Sequence, residues 1–391
     1  MTSSAIVGAG MTPFGKHVDT SLKALGAAAV HDALADAGVT REQVDMAFVA
    51  NAMASIVTGQ VSVVGQTILR EDGFAGTPVY NVDNACAGSS TALNLAAMAI
   101  AAGTADTVLV LGVEKLFSDR RERAYLALNG AADQDLVAAS GIDPANESVF
   151  VTAVYPQRLK AYADRYGLER ETLARIAVKN RRHAALNPLA QYTKPVTVED
   201  VLGSWMVADP VTALMCAPIG DGAAAVVLTR AELAREDGRR PVWLRGSAIG
   251  MGGPGAASAI QLTATLAYEQ AEIEPRDVDV ASGSTTSSAT ASSCSRARGR
   301  RSATAAAGGS RRPARWWRRR RRCPARGRSW SAGSTAMPPT TSSSSGPTAT
   351  CSPPARRWTR SRHRCATCSF CRPRSTSDEH ELLARASCLA T

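Results

Sequence analysis

The residue best suited to covalent chemistry in this sequence is Cys86, within the segment Asn81-Val-Asp-Asn-Ala-Cys86-Ala-Gly88. Residues 78–82 are typical of a strand, and residues 87–102 of a helix that is apolar on nearly every face and closed by Gly103. At such a junction the unpaired N–H groups and the positive end of the helix dipole favour a thiolate, and Gly88 leaves room for a ligand. Cys86 is therefore a candidate nucleophile. The competing interpretation is a small buried hydrophobe, which is the commoner role of free cysteine.

The segments around Cys86 alternate between predicted strands and helices. Residues 21–37 form a predicted helix with Leu22, Leu25 and Leu34 near one face and Gly38 as its end. Residues 107–112 are continuously apolar, as a parallel strand covered on both faces should be. Repeated strand-helix-strand units predict an α/β sandwich with right-handed crossovers. Further strands are predicted at residues 5–9, 45–50, 78–82 and 223–229, and a further helix at residues 61–70.

Several stretches resemble the thiolase family. Residues 84–116, NACAGSSTALNLAAMAIAAGTADTVLVLGVEKL, are similar to its nucleophile segment, residues 6–16 to its first strand and turn, and residues 221–228 to its DGAAA strand. The stretches at residues 178–188, 199–202 and 206–210 are most similar to the sterol-carrier-protein X type, also called lipid-transfer-protein thiolases. Ketoacyl synthases share the fold and a cysteine at this junction, but the DGAAA and KNRRHAALNP stretches favour thiolase. The resemblance covers roughly residues 4 to 281.

The resemblance implies the thiolase fold, an αβαβα sandwich of two related halves. The amino-terminal half would occupy residues 1–116, with its last strand and a polar linker at residues 213–240. Between them, residues 117–212 resemble the loop domain that covers the active site and holds much of coenzyme A in the family. We predict two helices there, at residues 156–166 and 169–186. The second half would begin within residues 241–281, with strands at 242–249 and from 277 and a helix at 262–271.

A basic cluster of Arg181, Arg182 and His183 lies near the end of the second predicted loop-domain helix. Guanidinium groups bind phosphates through paired hydrogen bonds, so in a thiolase these residues are candidates for contact with the phosphates of coenzyme A. The alternative is a solvated helix face, which is the commoner role of an exposed basic cluster.

Composition changes sharply near Ala281. Residues 281–377 contain no Leu, Ile, Val, Asp, Glu, Lys, Asn, Gln or Tyr. They therefore have almost no aliphatic side chains whose burial could offset the entropy cost of ordering the chain. Nearly all are Ser, Thr, Ala, Gly, Pro, Arg, Cys or Trp, whose codons carry G or C at the second base. This indicates coding sequence read out of frame. We predict that residues 282–391 form an aberrant, disordered tail and that the second half is truncated.

Two functional interpretations of this tail were weighed against a frameshift. The run of Trp and Arg at residues 315–322 suggests nucleic-acid binding, and Cys365, Cys368 and Cys371 with His363 or His380 suggest a zinc site. Neither is favoured, because the tail has no Lys and no flanking fold. The formal net charge of +11 divides into −8 for residues 1–280 and +19 for the rest, so the first part has no basic character. We predict no metal and no nucleic-acid partner.

The length of the apolar runs and the number of cysteines indicate a cellular compartment. No run is long enough to cross a bilayer and no charged-then-apolar leader is present, which predicts a cytoplasmic protein without a membrane span. Only Cys86 and Cys216 precede residue 281. Two well-separated cysteines do not make a disulfide framework, so this part fits a reducing compartment.

The resemblance implies two-step acyl transfer with Cys86 as the nucleophile. The thiolate would take an acyl group from one acyl-CoA, and an acetyl-CoA carbanion would then attack the thioester; the reverse reaction cleaves a 3-ketoacyl-CoA. Coenzyme A thioesters are the expected substrates, with no further cofactor. A base, an oxyanion hole and a second acid/base are also needed. In the family these come from carboxyl-terminal motifs that this chain lacks, so we expect impaired activity.

Two other functions stay open at this point. Some lipid-transfer-protein thiolase relatives cleave sterol side chains as retro-aldolases together with a small OB-fold partner. A lipid-binding module without catalysis is the non-enzymatic alternative. The family also implies a homodimer, provided that the carboxyl-terminal half is intact.

Overall fold

The computed structural model describes residues 4–236, 241–252 and 259–279, which all belong to one structural unit. The predicted tail at residues 282–391 lies outside the described residues. Residues 280 and 281, the last of the strand predicted from residue 277, lie outside them as well. Within the described ranges, no helix combines the length and the apolar character that crossing a bilayer requires.

A six-stranded mixed sheet forms the centre of this unit, in the order β3 (Val79–Val82), β2 (Met46–Ala50), β4 (Thr107–Lys115), β7 (Asp221–Arg230), β1 (Ser4–Met11) and β8 (Val242–Trp243). β2 is parallel to both β3 and β4, whereas β7 is antiparallel to β4 and to β1, and β8 is antiparallel to β1. The sheet and its helices confirm the predicted α/β class. Two further strands, β5 Met206–Ala208 and β6 Val211–Thr212, form a separate pair.

Eleven α-helices lie within the described residues. The helix predicted at residues 61–70 is shorter than expected, because Val63 has a left-handed φ of 52° and the helix begins only after it. Five short helices were not predicted, and one of them, α10 (Ala231–Glu236), covers the start of the expected polar linker. The helices are α1 Leu22–Ala37, α2 Ala54–Thr58, α3 Val64–Leu69, α4 Gly88–Ala101, α5 Arg121–Gly130, α6 Gln134–Ala139, α7 Tyr155–Tyr166, α8 Arg170–Ala184, α9 Val198–Gly203, α10 Ala231–Glu236 and α11 Ala259–Ala271.

Strand β4 separates two apolar cores, because successive side chains of a strand point to opposite faces. Leu109 and Leu111 pack in the core that contains α1, and Val108 and Val110 pack in the core that contains α4. All four side chains are at most 4% exposed. The prediction that residues 107–112 form a strand covered on both faces is confirmed.

Helix α1 packs directly against the backbone of β1. A Cβ atom added to Gly10 would lie 2.3 Å from the carbonyl oxygen of Ala29, so only glycine permits this approach. The Ser21 hydroxyl accepts a hydrogen bond from the Ala24 N–H at 3.1 Å, and Gly38 ends the helix with a φ of 61°. Both ends agree with the predicted helix at residues 21–37.

The segment between β4 and β7 has an apolar core of its own. Leu159, Leu173, Val201 and Met215 are buried together, which joins α7, α8 and α9. A π-helix, Phe150–Val154, precedes α7. The domain boundaries at residues 116, 212 and 240 stay predictions.

Three further predictions are wrong. Residues 244–249 are not a strand. The Arg245 guanidinium donates to the Ala271 carbonyl oxygen, and the Ser247 N–H donates to the side-chain oxygen of Gln270. These residues therefore bond to α11 and not to a neighbouring strand. Residues 275–277 form a 3₁₀ turn instead of opening a strand. Helix α4 buries one face only, since Met98 is 59% exposed.

Candidate active site

Cys86 is exposed and lies between β3 and α4, as predicted. It sits in a 3₁₀ turn, Ala85–Ala87, that leads into the helix. Ala85 has a left-handed φ of 43°, a conformation that costs a non-glycine residue about 1–2 kcal/mol. The Asp83 carboxylate accepts a hydrogen bond from the Ala85 N–H at 3.0 Å and thereby helps to hold this turn. Strain of this kind is typical of functional positions.

The first turn of α4 rests on the carboxyl ends of β2 and β4. A Cβ atom added to Gly88 would lie 3.3 Å from the Ala50 side chain, and one added to Gly112 would lie 2.1 Å from the Ser89 hydroxyl oxygen. Gly88 is buried. The expectation that Gly88 leaves room for a ligand is therefore wrong, because the Ala50 side chain packs against Gly88 where a Cβ atom would be.

Glu114 lies close to the level of Cys86 on the same face of the sheet. Successive side chains of β4 point to opposite faces of the sheet, so Glu114 shares the face of Gly112, where Ser89 packs. Helix α4 connects two parallel strands and therefore runs opposite to them. Counted by helix rise, Cys86 stands about 5 Å beyond the contact between Ser89 and Gly112, toward the carboxyl end of β4. Counted by strand rise, Glu114 stands about 7 Å beyond the same contact in the same direction. Sequence reasoning missed Glu114, although a carboxylate closing an apolar strand is itself a signal.

The Glu114 carboxylate is tied to the loop that follows β2. It accepts hydrogen bonds from the Asn51 side-chain amide at 3.0 Å, from the Ala52 N–H at 3.1 Å and from the Met53 N–H at 3.1 Å. Burial raises the pKa of Glu114, and hydrogen bonds from backbone N–H groups, first that of Met53, oppose this shift. The carboxyl group therefore fixes the loop that follows β2.

A buried ion pair joins two of the segments that carry the family resemblance. Lys115 Nζ lies 3.2 Å from Asp221 Oδ2, and Asp221 is fully buried. The other Asp221 oxygen accepts the Leu116 N–H at 2.8 Å and the Phe117 N–H at 2.7 Å, and Oδ2 also accepts the His17 N–H at 3.2 Å. The DGAAA aspartate thus anchors the start of the segment between β4 and β7.

Tyr155 is a second residue near Cys86 that the sequence did not reveal. It begins α7 directly after the π-helix, an element that is frequent at functional sites, and its ring stacks on Phe150 with centroids 5.9 Å apart. Burial raises the pKa of the Tyr155 phenol, and the negative charge of a Cys86 thiolate raises it further. The phenol and the thiol are therefore within electrostatic reach of each other.

Comparison with known proteins shows the family of this chain. Residues 4–210 match the family model of the thiolase N-terminal domain. The chain belongs to the thiolase family. Over 288 residues it is 33% identical to an acetyl-CoA acetyltransferase of Methanothermobacter thermautotrophicus, a match that covers 72% of this chain and 73% of that relative. By family, this thiolase is an acyltransferase.

Two solved structures are similar to this thiolase. One is an Ltp2-ChsH2(DUF35) aldolase, with a TM-score of 0.57, 27% identity and coverage of 71% of each chain. The other is a monomeric SCP2-thiolase like protein type 1 from Mycobacterium smegmatis, with a TM-score of 0.54, 22% identity and coverage of 71% of this chain and 58% of that one. The second likeness shows the fold alone. The thiolase fold expected for the amino-terminal half is confirmed.

The basic cluster predicted to bind coenzyme phosphates lies in the last turn of α8. The Arg181 guanidinium stacks on the Tyr192 ring, 4.3 Å from its centroid, while Arg182 and His183 are exposed. Among the described residues, no hydrogen bond, ion pair or ring contact links these three side chains to the Cys86 turn. Their role in coenzyme binding stays a prediction.

Cys216 differs from Cys86 in its surroundings. It is partly buried, and its thiol donates a long hydrogen bond of 3.6 Å to the Thr212 carbonyl oxygen. Burial raises the pKa of the Cys216 thiol. At neutral pH this lowers the thiolate fraction of Cys216, as expected for a structural cysteine.

Proposed function

We propose that this thiolase transfers acyl groups between coenzyme A thioesters through an acyl thioester on Cys86. The observation that carries the proposal is the exposed Cys86 thiol in a strained turn between β3 and α4, within electrostatic reach of Tyr155. The 33% identity to an acetyl-CoA acetyltransferase supports the same reaction class.

The first half-reaction needs a nucleophile and a place for the leaving group. The Cys86 sulfur attacks the acyl-CoA carbonyl, a carbon–sulfur bond to Cys86 forms, and the bond to coenzyme A breaks. The leaving coenzyme A thiolate takes up the proton that Cys86 loses, so free coenzyme A is released. In condensation, acetyl-CoA loses an α proton, its carbanion attacks the thioester carbonyl, and the Cys86 thiolate that leaves takes up a proton. In thiolysis, Cys86 instead attacks C3 of a 3-ketoacyl-CoA, the C2–C3 bond breaks, and the acetyl-CoA carbanion takes up the proton that Cys86 loses. Free coenzyme A then attacks the thioester, and its thiol proton returns to Cys86.

We expect turnover in this chain to be too slow to detect. The family assigns the base for Cys86, the oxyanion hole and the second acid/base to motifs in its carboxyl-terminal half, and the sequence after Ala281 contains none of them. Each such group contributes on the order of 10²–10³ in rate. Acylation of Cys86 is therefore the step to measure first.

The direct test is detection of the intermediate. Purified protein is incubated with acetyl-CoA or acetoacetyl-CoA, quenched in acid and digested, and the peptide that contains Cys86 is analysed by mass spectrometry. We expect an acetyl mass increment on Cys86, and no increment at this site in Cys86→Ala. An increment on Cys216 in preference to Cys86 would contradict the assignment.

A second candidate reaction is retro-aldol cleavage of a lipid side-chain thioester with an OB-fold partner. It is favoured by one observation, the similarity to the Ltp2-ChsH2(DUF35) aldolase. The two reactions separate cleanly in one assay. Thiolase activity on a 3-ketoacyl-CoA requires free coenzyme A and Cys86, whereas an aldolase cleaves a 3-hydroxyacyl thioester without free coenzyme A and only when the partner is added.

A further inference from the structure

Residues 50–53, here called the exit of β2, contact both ends of the turn that carries Cys86. On the amino-terminal side, the Asn51 N–H donates a hydrogen bond of 3.3 Å to the carbonyl oxygen of Val82, the last residue of β3. On the carboxyl-terminal side, the Ala50 side chain packs against Gly88, the first residue of α4. Residues 83–87, with Cys86 among them, span the distance between these two contacts.

The Glu114 carboxylate holds the exit of β2 in place. It accepts the Ala52 and Met53 N–H groups and the side-chain amide of Asn51. The same amide also donates to the Val113 carbonyl oxygen at 2.8 Å, so Asn51 is bound to β4 at two points. Hydrogen bonds to an ionised group are about twice as strong as those between neutral groups. One buried side chain thus ties the exit of β2 to the end of β4.

The strain in the Cys86 turn needs support from outside the turn. A non-glycine residue such as Ala85 keeps a left-handed φ only where the surrounding structure determines its backbone. Within the turn, the hydrogen bond from the Ala85 N–H to Asp83 supports this conformation. The contacts of Asn51 and Ala50 add the connection of both ends of the turn to the central sheet.

The hydrogen bonds to Glu114 require the ionised carboxyl group. Every group that bonds this carboxyl group within the described residues is an N–H donor, so a protonated oxygen would face donors. Burial raises the pKa of Glu114, and the backbone N–H groups oppose this shift. Neighbouring charges are engaged elsewhere, because Lys115 pairs with Asp221 and Arg123 of α5 donates to the Val57 carbonyl oxygen at 3.4 Å. The sequences of α4 and of residues 50–53 contain no charged residue.

We propose that Glu114 is a positioning residue for the nucleophile. Its carboxylate fixes the exit of β2, the exit fixes both ends of the Cys86 turn, and the turn keeps the thiol exposed at the start of α4. The proposal rests on the proposed function for the identity of the nucleophile, and it assigns Glu114 no contact with the substrate.

Alkylation of Cys86 reports its position without requiring acyl transfer. The thiolate attacks the methylene carbon of iodoacetamide, a carbon–sulfur bond forms and iodide leaves. Rates at Cys86 and Cys216 are measured together on the full chain by peptide mapping. Cys216 is partly buried, so a general loosening of the protein would raise its rate. Loss of positioning should lower the rate at Cys86 and leave the rate at Cys216 unchanged.

Three variants and one control test the role of the carboxylate. Glu114→Ala should lower the rate at Cys86 by about 5–30-fold, the factor that corresponds to the strain of a left-handed alanine. Glu114→Gln keeps one acceptor oxygen and should lose less, and Asn51→Ala should act in the same direction as Glu114→Ala. Val30→Ala is the control, because it weakens the core around α1 and should leave the rate at Cys86 unchanged. Circular dichroism checks folding; if Glu114→Ala does not fold, Glu114→Gln and Asn51→Ala decide.

A pH profile distinguishes positioning by the carboxylate from simple packing of its side chain. The ratio of the Cys86 rates in the wild type and in Glu114→Gln is measured from about pH 9 to about pH 5. It should approach one as the pH falls through the titration of Glu114, because a protonated carboxyl group and an amide both lack the charge. A ratio that stays constant over this range would overturn the role of the carboxylate.

The remaining outcomes separate the positioning role from the reaction. If Glu114→Ala leaves the rate at Cys86 unchanged, or if Val30→Ala lowers it as much, the positioning proposal is overturned. The same variants are incubated with acetyl-CoA, and acyl-Cys86 is quantified by mass spectrometry. A Cys86 alkylation rate that depends on Glu114 without any acyl-Cys86 would refute the proposed function and leave the positioning role standing. Acyl-Cys86 that forms equally fast in the wild type and in Glu114→Ala would do the reverse.

Discussion

Breaking the buried ion pair between Lys115 and Asp221 should destabilise the protein strongly and asymmetrically. In Asp221→Asn the Lys115 ammonium, which is 11% exposed, keeps its hydrogen bond to the His17 carbonyl oxygen but loses the carboxylate that balances its charge. Removing one partner of a buried pair costs about 3–5 kcal/mol. In Lys115→Met the carboxylate still accepts three backbone N–H groups, so we expect a smaller cost of roughly 1–3 kcal/mol.

A double-mutant cycle measures the coupling. The free energy of unfolding is determined by urea denaturation followed by circular dichroism at pH 7 for the wild type, both single variants and Lys115→Met/Asp221→Asn. The double variant should lose less free energy of unfolding than the sum of the two single losses, by on the order of 2 kcal/mol. The reason is that it contains no buried ammonium without a carboxylate partner. Additive costs, or an Asp221→Asn cost below that of Lys115→Met, would refute the reasoning. Arg175→Ala is the control, since its exposed pair with Glu171 should contribute less than about 1 kcal/mol.

Three further predictions concern packing, thiol reactivity and turnover. Gly10→Ala should cost at least about 1–3 kcal/mol in urea unfolding, because its Cβ would collide with the α1 backbone, whereas Gly130→Ala, with open space around it, should be neutral or slightly stabilising. Iodoacetamide should label Cys86 before Cys216, and labelling of Cys216 should rise only at higher pH because its pKa is raised; equal labelling at pH 7 would count against the nucleophile. The chain as given should show no thiolysis of acetoacetyl-CoA, a version with the reading frame restored at codon 281 should show it, and Cys86→Ala should abolish it there. Comparable rates with and without the restored frame would mean that the missing motifs are dispensable.

Local signals in the sequence predicted the elements that hold the nucleophile. The apolar run of β4 and the ends of α1 at Ser21 and Gly38 depend on neighbours a few residues apart, and the structure contains them as expected. The position of Cys86 between a strand and a helix followed from the same short-range patterns. Where the pattern was short or polar, as in α2, α5 and α10, helices were missed because tertiary packing decides them.

What the sequence determined by itself is therefore the class of fold, the family resemblance, the position of the candidate nucleophile and the break in composition near Ala281. Tertiary structure alone decided what stands around Cys86. Asp221 meets Lys115 across 106 residues of chain, and Tyr155 approaches Cys86 from a different segment. Such pairings depend on strand register and helix packing over long separations, so the residue types can indicate that a buried charge needs a partner, but only the folded sheet specifies which one.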